Sequence, residues 1–207
     1  MKILDSIFSE GIIAIVRTRS EAPLTEALRA MARGGVHHIE ITSNTSGFLK
    51  RLEETAALCP EICLGAGTIL SAQMARDAVS AGAKYLVTPI MNREIIDASK
   101  VLGAPVIMGA FTPTEIYQAH LWGADAVKLF PAAEVGPSYL KAVLAPLPPI
   151  ALVPTGGITV KNAPDWMRAG AKALGIGTAL FDEKLLEKRD YAAFTERAAA
   201  LRTALII

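Results

Sequence analysis

The chain has 207 residues, 52 % of them apolar, enough to bury one sizeable core and short for two domains, so residues 1–207 are read as one domain. Basic and acidic side chains nearly cancel to a net charge of +1, which leaves no overall field to attract nucleic acid or an anionic membrane. No apolar run is long enough for a membrane span, and Lys2, Asp5 and Glu10 spoil the opening stretch as a signal peptide, so a soluble cytoplasmic protein is expected.

Residues 2–10 have the pattern of an extra N-terminal helix. Short apolar, strand-like runs then follow at 12–16, 38–42, 62–66, 85–88, 106–109, 126–129, 151–154 and 173–177. The segments between them carry helical spacing, as in Leu24, Leu28 and Met31 or Met74, Ala78 and Ala81, and Ser71 and Thr114 are expected to cap two of these helices. Residues 191–205 read as the last outer helix. Cys59 and Cys63 are too few for a disulfide framework, and Pro60 separates a helix end from the next strand, so both are read as reduced thiols that fill space.

A glycine between small or apolar residues precedes several of the strands, at Gly35, Gly82, Gly103, Gly123 and Gly170. The intervals are 47, 21, 20 and 47 residues, and the long ones divide at Cys59-Pro60 and Pro146. The underlying period is therefore about twenty to twenty-four residues, one βα unit each. Near-continuous apolar strands alternating with amphipathic helices imply a parallel sheet covered by helices. Eight equal units favour a single (β/α)8 TIM barrel with an extra N-terminal helix over an open doubly wound sheet. The dinucleotide fingerprint GxGxxG is missing, since Gly65-Ala66-Gly67 and Gly175-Ile176-Gly177 both lack the third glycine.

In such a barrel, chemistry collects at the carboxyl ends of the strands. Lys128 stands there in Ala126-Val127-Lys128-Leu129, on the same face as Ala126. If that face points inward, loss of hydration favours an uncharged, nucleophilic amine. If it points outward, or if Lys128 pairs with a carboxylate, its role is structural. Lys84 and Lys172 follow helix-closing Ala-Gly-Ala runs, at the amino ends of their strands, and compete poorly. Glu40, inside His38-Ile39-Glu40-Ile41-Thr42, offers a carboxylate for proton transfer, or else a buried ion pair with Arg17 or Lys128. His37 and His38 point to opposite faces and, with no further ligand set, make no metal site. Gly156 and Gly157 follow the seventh strand, and Gly177 and Thr178 the eighth. Both loops lead towards a helix, so backbone amides and helix ends are expected to converge on one anion.

Taken in order, Glu40-Ile41-Thr42, Gly65-Ala66-Gly67-Thr68, Thr88-Pro89, Lys128-Leu129-Phe130-Pro131 and Pro154-Thr155-Gly156-Gly157-Ile158 resemble the 2-keto-3-deoxy-6-phosphogluconate aldolases. Relatives acting on the galactonate epimer or on 4-hydroxy-2-oxoglutarate share the set. The resemblance spans roughly Gly11 to Phe181. It implies that Lys128 forms a Schiff base with a 2-oxo acid and that Glu40 is the general acid and base. It places Arg17 and Thr68 near the pyruvate carboxylate, Pro89 and Phe130 around the pocket, Thr155 beside the substrate, and Gly156, Gly157, Gly177 and Thr178 around a phosphate. It also implies a homotrimer, a small phosphorylated 2-oxo acid as the binding partner, and an Entner–Doudoroff type step in carbohydrate metabolism. No metal or cofactor is expected, because the imine itself is the electron sink.

Two departures stand out. Some members carry a second arginine after the second strand, where this chain has Thr42-Ser43-Asn44-Thr45, and Arg17 supplies the charge instead. The loop from Met108 to Pro113 lacks the proline-glycine start common in the family. The favoured substrate is the phosphogluconate derivative, with the epimer and 4-hydroxy-2-oxoglutarate left open. Two other classes stay in view: a phosphate-binding isomerase or epimerase barrel, and a non-catalytic ligand-binding module in which Lys128 and Glu40 form only an ion pair.

Overall fold

A computed structural model describes residues 3–206 of the chain. Eight strands, β1 (Ile12–Val16), β2 (His38–Thr42), β3 (Cys63–Gly67), β4 (Tyr85–Val87), β5 (Val106–Ala110), β6 (Ala126–Leu129), β7 (Leu152–Pro154) and β8 (Leu174–Ile176), pair in parallel in the order β7-β6-β5-β4-β3-β2-β1-β8. A parallel bridge between Thr155 and Gly175 joins the two ends, closing the sheet into a (β/α)8 barrel. The expected strands are all there; β3 starts one residue later than the sequence pattern indicates, and β8 is trimmed at both ends.

Helices α2 (Thr25–Arg33), α3 (Phe48–Leu58), α4 (Ala72–Ser80), α5 (Arg93–Leu102), α6 (Pro113–Trp122), α7 (Gly136–Leu144), α8 (Ala163–Arg168) and α10 (Tyr191–Ala204) ring the outside. A short helix that the sequence pattern did not indicate, α9 (Glu183–Glu187), lies between β8 and α10. Ser71 caps α4 as expected, accepting from the Met74 amide at 3.2 Å. Thr114 does not cap α6; Thr112 does. Thr112 and Glu115 form a capping box, and Pro113 takes the first helical position, where its missing N–H costs nothing. At the other end of the helices, Gly103 and Gly123 close α5 and α6 with φ of +65° and +89°, a conformation that a side chain with a Cβ resists.

Strand alternation sorts the core into two layers. Outward residues such as Ile39, Ile41, Val127 and Leu129 pack under the helices, whereas Ile13, Tyr85, Val87, Ile107, Ala126, Val153 and Ala173 fill the barrel itself. Ile7, fully buried on α1 (Ile3–Glu10), joins this inner cluster among the first residues of the strands. The N-terminal helix is thus the plug at the amino end of the barrel, and the carboxyl end is left for a ligand. Among the described residues no helix is long and apolar enough to cross a membrane.

Glu10 holds the plug in place. Its carboxylate accepts from the His37 amide at 2.9 Å, lies 3.0 Å from His37 Nδ1 and stands 3.2 Å from His38 Nδ1. His38, buried on β2, reaches back with Nε2 to Ser6 Oγ on α1 at 3.0 Å. Burial alone would raise the Glu10 carboxyl, but the bonds from His38 and His37 outweigh it and hold the group below the usual carboxylate range. A depressed carboxyl contributes stability above its unfolded pKa and loses it as the pH falls through the folded value. Glu10→Ala is therefore expected to cost about 2 kcal/mol at neutral pH, with the deficit closing below about pH 4, as measured by denaturant unfolding across pH.

Candidate active site

Four inward glycines decide where space is left at the carboxyl end. A Cβ on Gly67 would collide with the Glu40 carboxyl, one on Gly109 with the main chain of Pro89, and one on Gly175 with Thr155. Gly65, one inward step below Gly67, leaves room in the same way for the Tyr85 ring. The result is a cavity of about 310 Å3 at the mouth of the barrel. Lys128, Glu40, Arg17, Thr68, Pro89, Phe130, Thr155, Gly156, Gly157, Gly177 and Thr178 all line it.

Lys128 and Glu40 face inward on β6 and β2. Each is flanked by outward neighbours, Val127 and Leu129 or Ile39 and Ile41, in the layer beneath the helices. Lys128 is only 6 % exposed and Glu40 1 %. The Lys128 Nζ lies 5.0 Å from the centre of the Phe130 ring, close enough for a cation–π contact. Burial pushes the Glu40 carboxyl upward, and the Lys128 charge offsets this only in part. Glu40 Oε1 has no hydrogen-bond partner among the described residues. Nor does either residue enter any ion pair formed by those residues. A pair kept only for structure would close on itself; here both groups are left turned to the cavity.

The walls are tied down by backbone contacts. Thr68 adopts φ of +56°, a conformation that costs on the order of 1–3 kcal/mol for a β-branched residue, and the Ser43 hydroxyl donates to its carbonyl at 2.7 Å. Thr88 Oγ1 accepts from the Gly109 amide at 2.8 Å and donates to the Ile90 carbonyl at 2.6 Å, which folds Pro89 over Gly109. Arg17 stands exposed at the rim. Its loop is fixed from the neighbouring segment after β8 by Glu183, which accepts from Thr18 Oγ1 and from the Arg19 amide at 2.7 Å. Those bonds hold the Glu183 carboxyl below its ordinary range.

The glycine loops differ from the sequence expectation in one respect. Gly156 and Gly157 take φ of +104° and +70°, which only glycine adopts easily, and the loop is stapled by Asn162, whose side chain bonds the Gly157 carbonyl at 3.0 Å and the Thr159 amide at 2.8 Å. Yet α8 begins only at Ala163 and α9 only at Glu183. Neither helix end stands directly at the glycines, so an anion there would meet loop amides instead of helix termini.

Sequence reasoning missed Ile15, Thr42, Ile158, Gly175 and Phe181 as lining residues. Three of them carried a usable signal. Ile15, Thr42 and Gly175 stand two residues from Arg17, Glu40 and Gly177, hence on the same strand face. Ile158 and Phe181 lie on loops, where no period applies.

A buried primary amine and a buried carboxyl in one cavity can attack a carbonyl and pass protons to and from the adduct. Comparison with known proteins agrees with that chemistry. The family model for KDPG and KHG aldolases matches residues 4–197. A 2-dehydro-3-deoxy-phosphogluconate aldolase of Pseudomonas aeruginosa is 30 % identical over 191 residues, covering 91 % of this chain and 87 % of that one. The 2-dehydro-3-deoxy-6-phosphogalactonate aldolase of Escherichia coli is 31 % identical over 172 residues, covering 82 % and 84 %. The structure of a KDPG aldolase from Legionella pneumophila, with pyruvate captured as a covalent carbinolamine, superposes with a TM-score of 0.87 at 28 % identity, covering 96 % and 97 %. The chain belongs to the KDPG and KHG aldolase family, and it is a carbon–carbon lyase with the family's TIM-barrel fold.

Proposed function

We propose that this chain is a class I aldolase that cleaves 2-dehydro-3-deoxy-6-phosphogluconate to pyruvate and glyceraldehyde 3-phosphate through an imine on Lys128. The observation that carries the reading is the buried Lys128 facing the buried, unpartnered Glu40 inside one cavity. The Lys128 amine adds to the C2 ketone, and Glu40 gives a proton to the departing hydroxyl as the carbinolamine loses water. The Glu40 carboxylate then takes the proton of the 4-hydroxyl, the C3–C4 bond breaks, and its electrons pass into the imine to give an enamine. Protonation at C3 and hydrolysis of the imine release pyruvate and restore the amine.

In this reading Arg17 and Thr68 hold the carboxylate of the pyruvate half, Pro89 and Phe130 wall the planar imine, and Thr155 lies beside the chain of the substrate. Amides of Gly156, Gly157 and Gly177, with Thr178, take the phosphate. A cavity of about 310 Å3 sits at the small end of the usual range for ligand sites, as suits a six-carbon acid phosphate open at one end to water. The galactonate epimer offers the same groups to the same residues and is the alternative substrate, as is 4-hydroxy-2-oxoglutarate. Family membership speaks against the isomerase and the non-catalytic module.

Turnover of the three substrates side by side tests this assignment. The phosphogluconate derivative is expected to be fastest, and faster cleavage of the epimer would reassign the substrate. Lys128→Met is expected to fall to background and Glu40→Gln to lose about 10²- to 10⁴-fold in kcat; undiminished turnover in Lys128→Met would refute the imine.

We also read the chain as a single barrel domain that assembles into a homotrimer in the cytoplasm. The resemblance supports the assembly. Sedimentation equilibrium is expected to give three times the chain mass of 21.9 kDa, and a monomer mass would exclude the trimer.

A further inference from the structure

Among the described residues, Glu40 Oε1 and the Tyr85 hydroxyl are buried with no hydrogen-bond partner; His38 Nδ1 also lacks a well-aligned bond but lies 3.2 Å from the Glu10 carboxylate. All three belong to inward positions of β2 and β4. His38 and Glu40 are two apart on β2. Glu40 and Tyr85 pair in register with the same residue of β3, Gly65. A Cβ there would overlap the far end of the Tyr85 ring, so the ring lies across β3 with its phenol end directed towards β2. The Glu40 carboxyl in turn lies over Gly67, one inward step further along the same strand. The phenol end and the carboxyl thus occupy successive inward levels over the same strand, with no direct hydrogen bond between them.

Tyr85 itself is fully buried. An orphaned hydroxyl in that position costs free energy that a phenylalanine would avoid, and the polar contact that would offset the cost is the carboxyl above it. We propose that the Tyr85 hydroxyl is a positioning residue for the reaction: through one bridging water it donates a hydrogen bond to the Glu40 carboxylate and sets the pH at which Glu40 becomes a base. The inference rests on the acid–base role proposed for Glu40.

The charged and titratable groups around the carboxyl are Lys128 from β6, Arg17 from the end of β1, Tyr85 from β4, and, deeper in the barrel, His38 from β2 and Cys63 from β3. Lys128 acts on Glu40 from the substrate side. Tyr85 acts from beneath, where no substrate reaches, so its contribution persists whether or not the imine has formed. Burial pushes the Tyr85 phenol well above its ordinary range, and the Glu40 charge adds to this, so the hydroxyl keeps its proton and stays a donor throughout.

The test is the rate at which the intact protein exchanges the methyl protons of pyruvate for deuterium, followed by proton NMR as a function of pH. It needs only the imine and the base, not the full substrate. Removing a donor from a carboxylate raises its pKa, so Tyr85→Phe is expected to move the acid limb up by about half to one pH unit. That is a three- to tenfold slower exchange below the limb with the plateau unchanged. Global replacement of tyrosine by 3-fluorotyrosine, a more acidic donor, is expected to move the limb down in the wild type and to leave it in place in Tyr85→Phe. Superimposable wild-type and Tyr85→Phe profiles, or a lower plateau with no movement of the limb, would overturn the role of Tyr85 alone. An acid limb that survives in Glu40→Gln belongs to another group, and it would overturn this inference together with the acid–base reading of Glu40.

Discussion

The structure turns on the removal of two opposite ionisable groups, Glu40 and Lys128, from water without letting them neutralise each other. Isolated burial of either charge is expensive, and a closed ion pair is the usual remedy. Here the barrel places them on β2 and β6, and the described residues form no ion pair with either. The carboxyl answers by holding its proton more tightly than a solvated one would. What is costly for stability is useful for chemistry, since a carboxyl poised in this way can give and take a proton during one cycle.

The rest of the fold serves that constraint. α1 covers the amino end with Ile7 and is locked by Glu10 on the paired histidines, while the cavity around Lys128 and Glu40 lies at the carboxyl end. The glycines at 65, 67, 109 and 175 remove side chains from the inner face where Tyr85, Glu40, Pro89 and Thr155 need room. Thr68 is held in a strained conformation by Ser43, and the Arg17 loop by Glu183. Ile7, Glu10, Ser43, Glu183 and the glycines lie outside the chemistry, yet they decide where it can occur.

Much of this was legible in the sequence because a (β/α)8 barrel repeats. The recurring helix-closing glycines set the period, and the period placed Lys128 near the end of the sixth strand. Alternation then settled which residues share its face once one inward position was known. The resemblance, not the period, picked out Arg17 and Thr68. The sequence was less informative where no period operates. Thr114 is expected as a cap, but the cap is Thr112 two residues earlier, because Pro113 takes the first helical position, where its fixed φ and missing N–H are tolerated. The loops after β7 and β8 contain the expected glycines, but the distance from those glycines to the next helix is set by Asn162 and by the extra helix α9. The crowding that makes Gly65, Gly67, Gly109 and Gly175 necessary is a property of neighbouring strands, which a linear reading does not see.

The central claim is that Lys128 forms a covalent imine with a 2-oxo acid. Incubating the protein with pyruvate, reducing with borohydride and mapping the product by peptide mass spectrometry tests it most directly. The account predicts one reduced pyruvate per chain, carried on Lys128 and absent when pyruvate is omitted. An adduct on another lysine, or none under conditions where substrate is turned over, would contradict it.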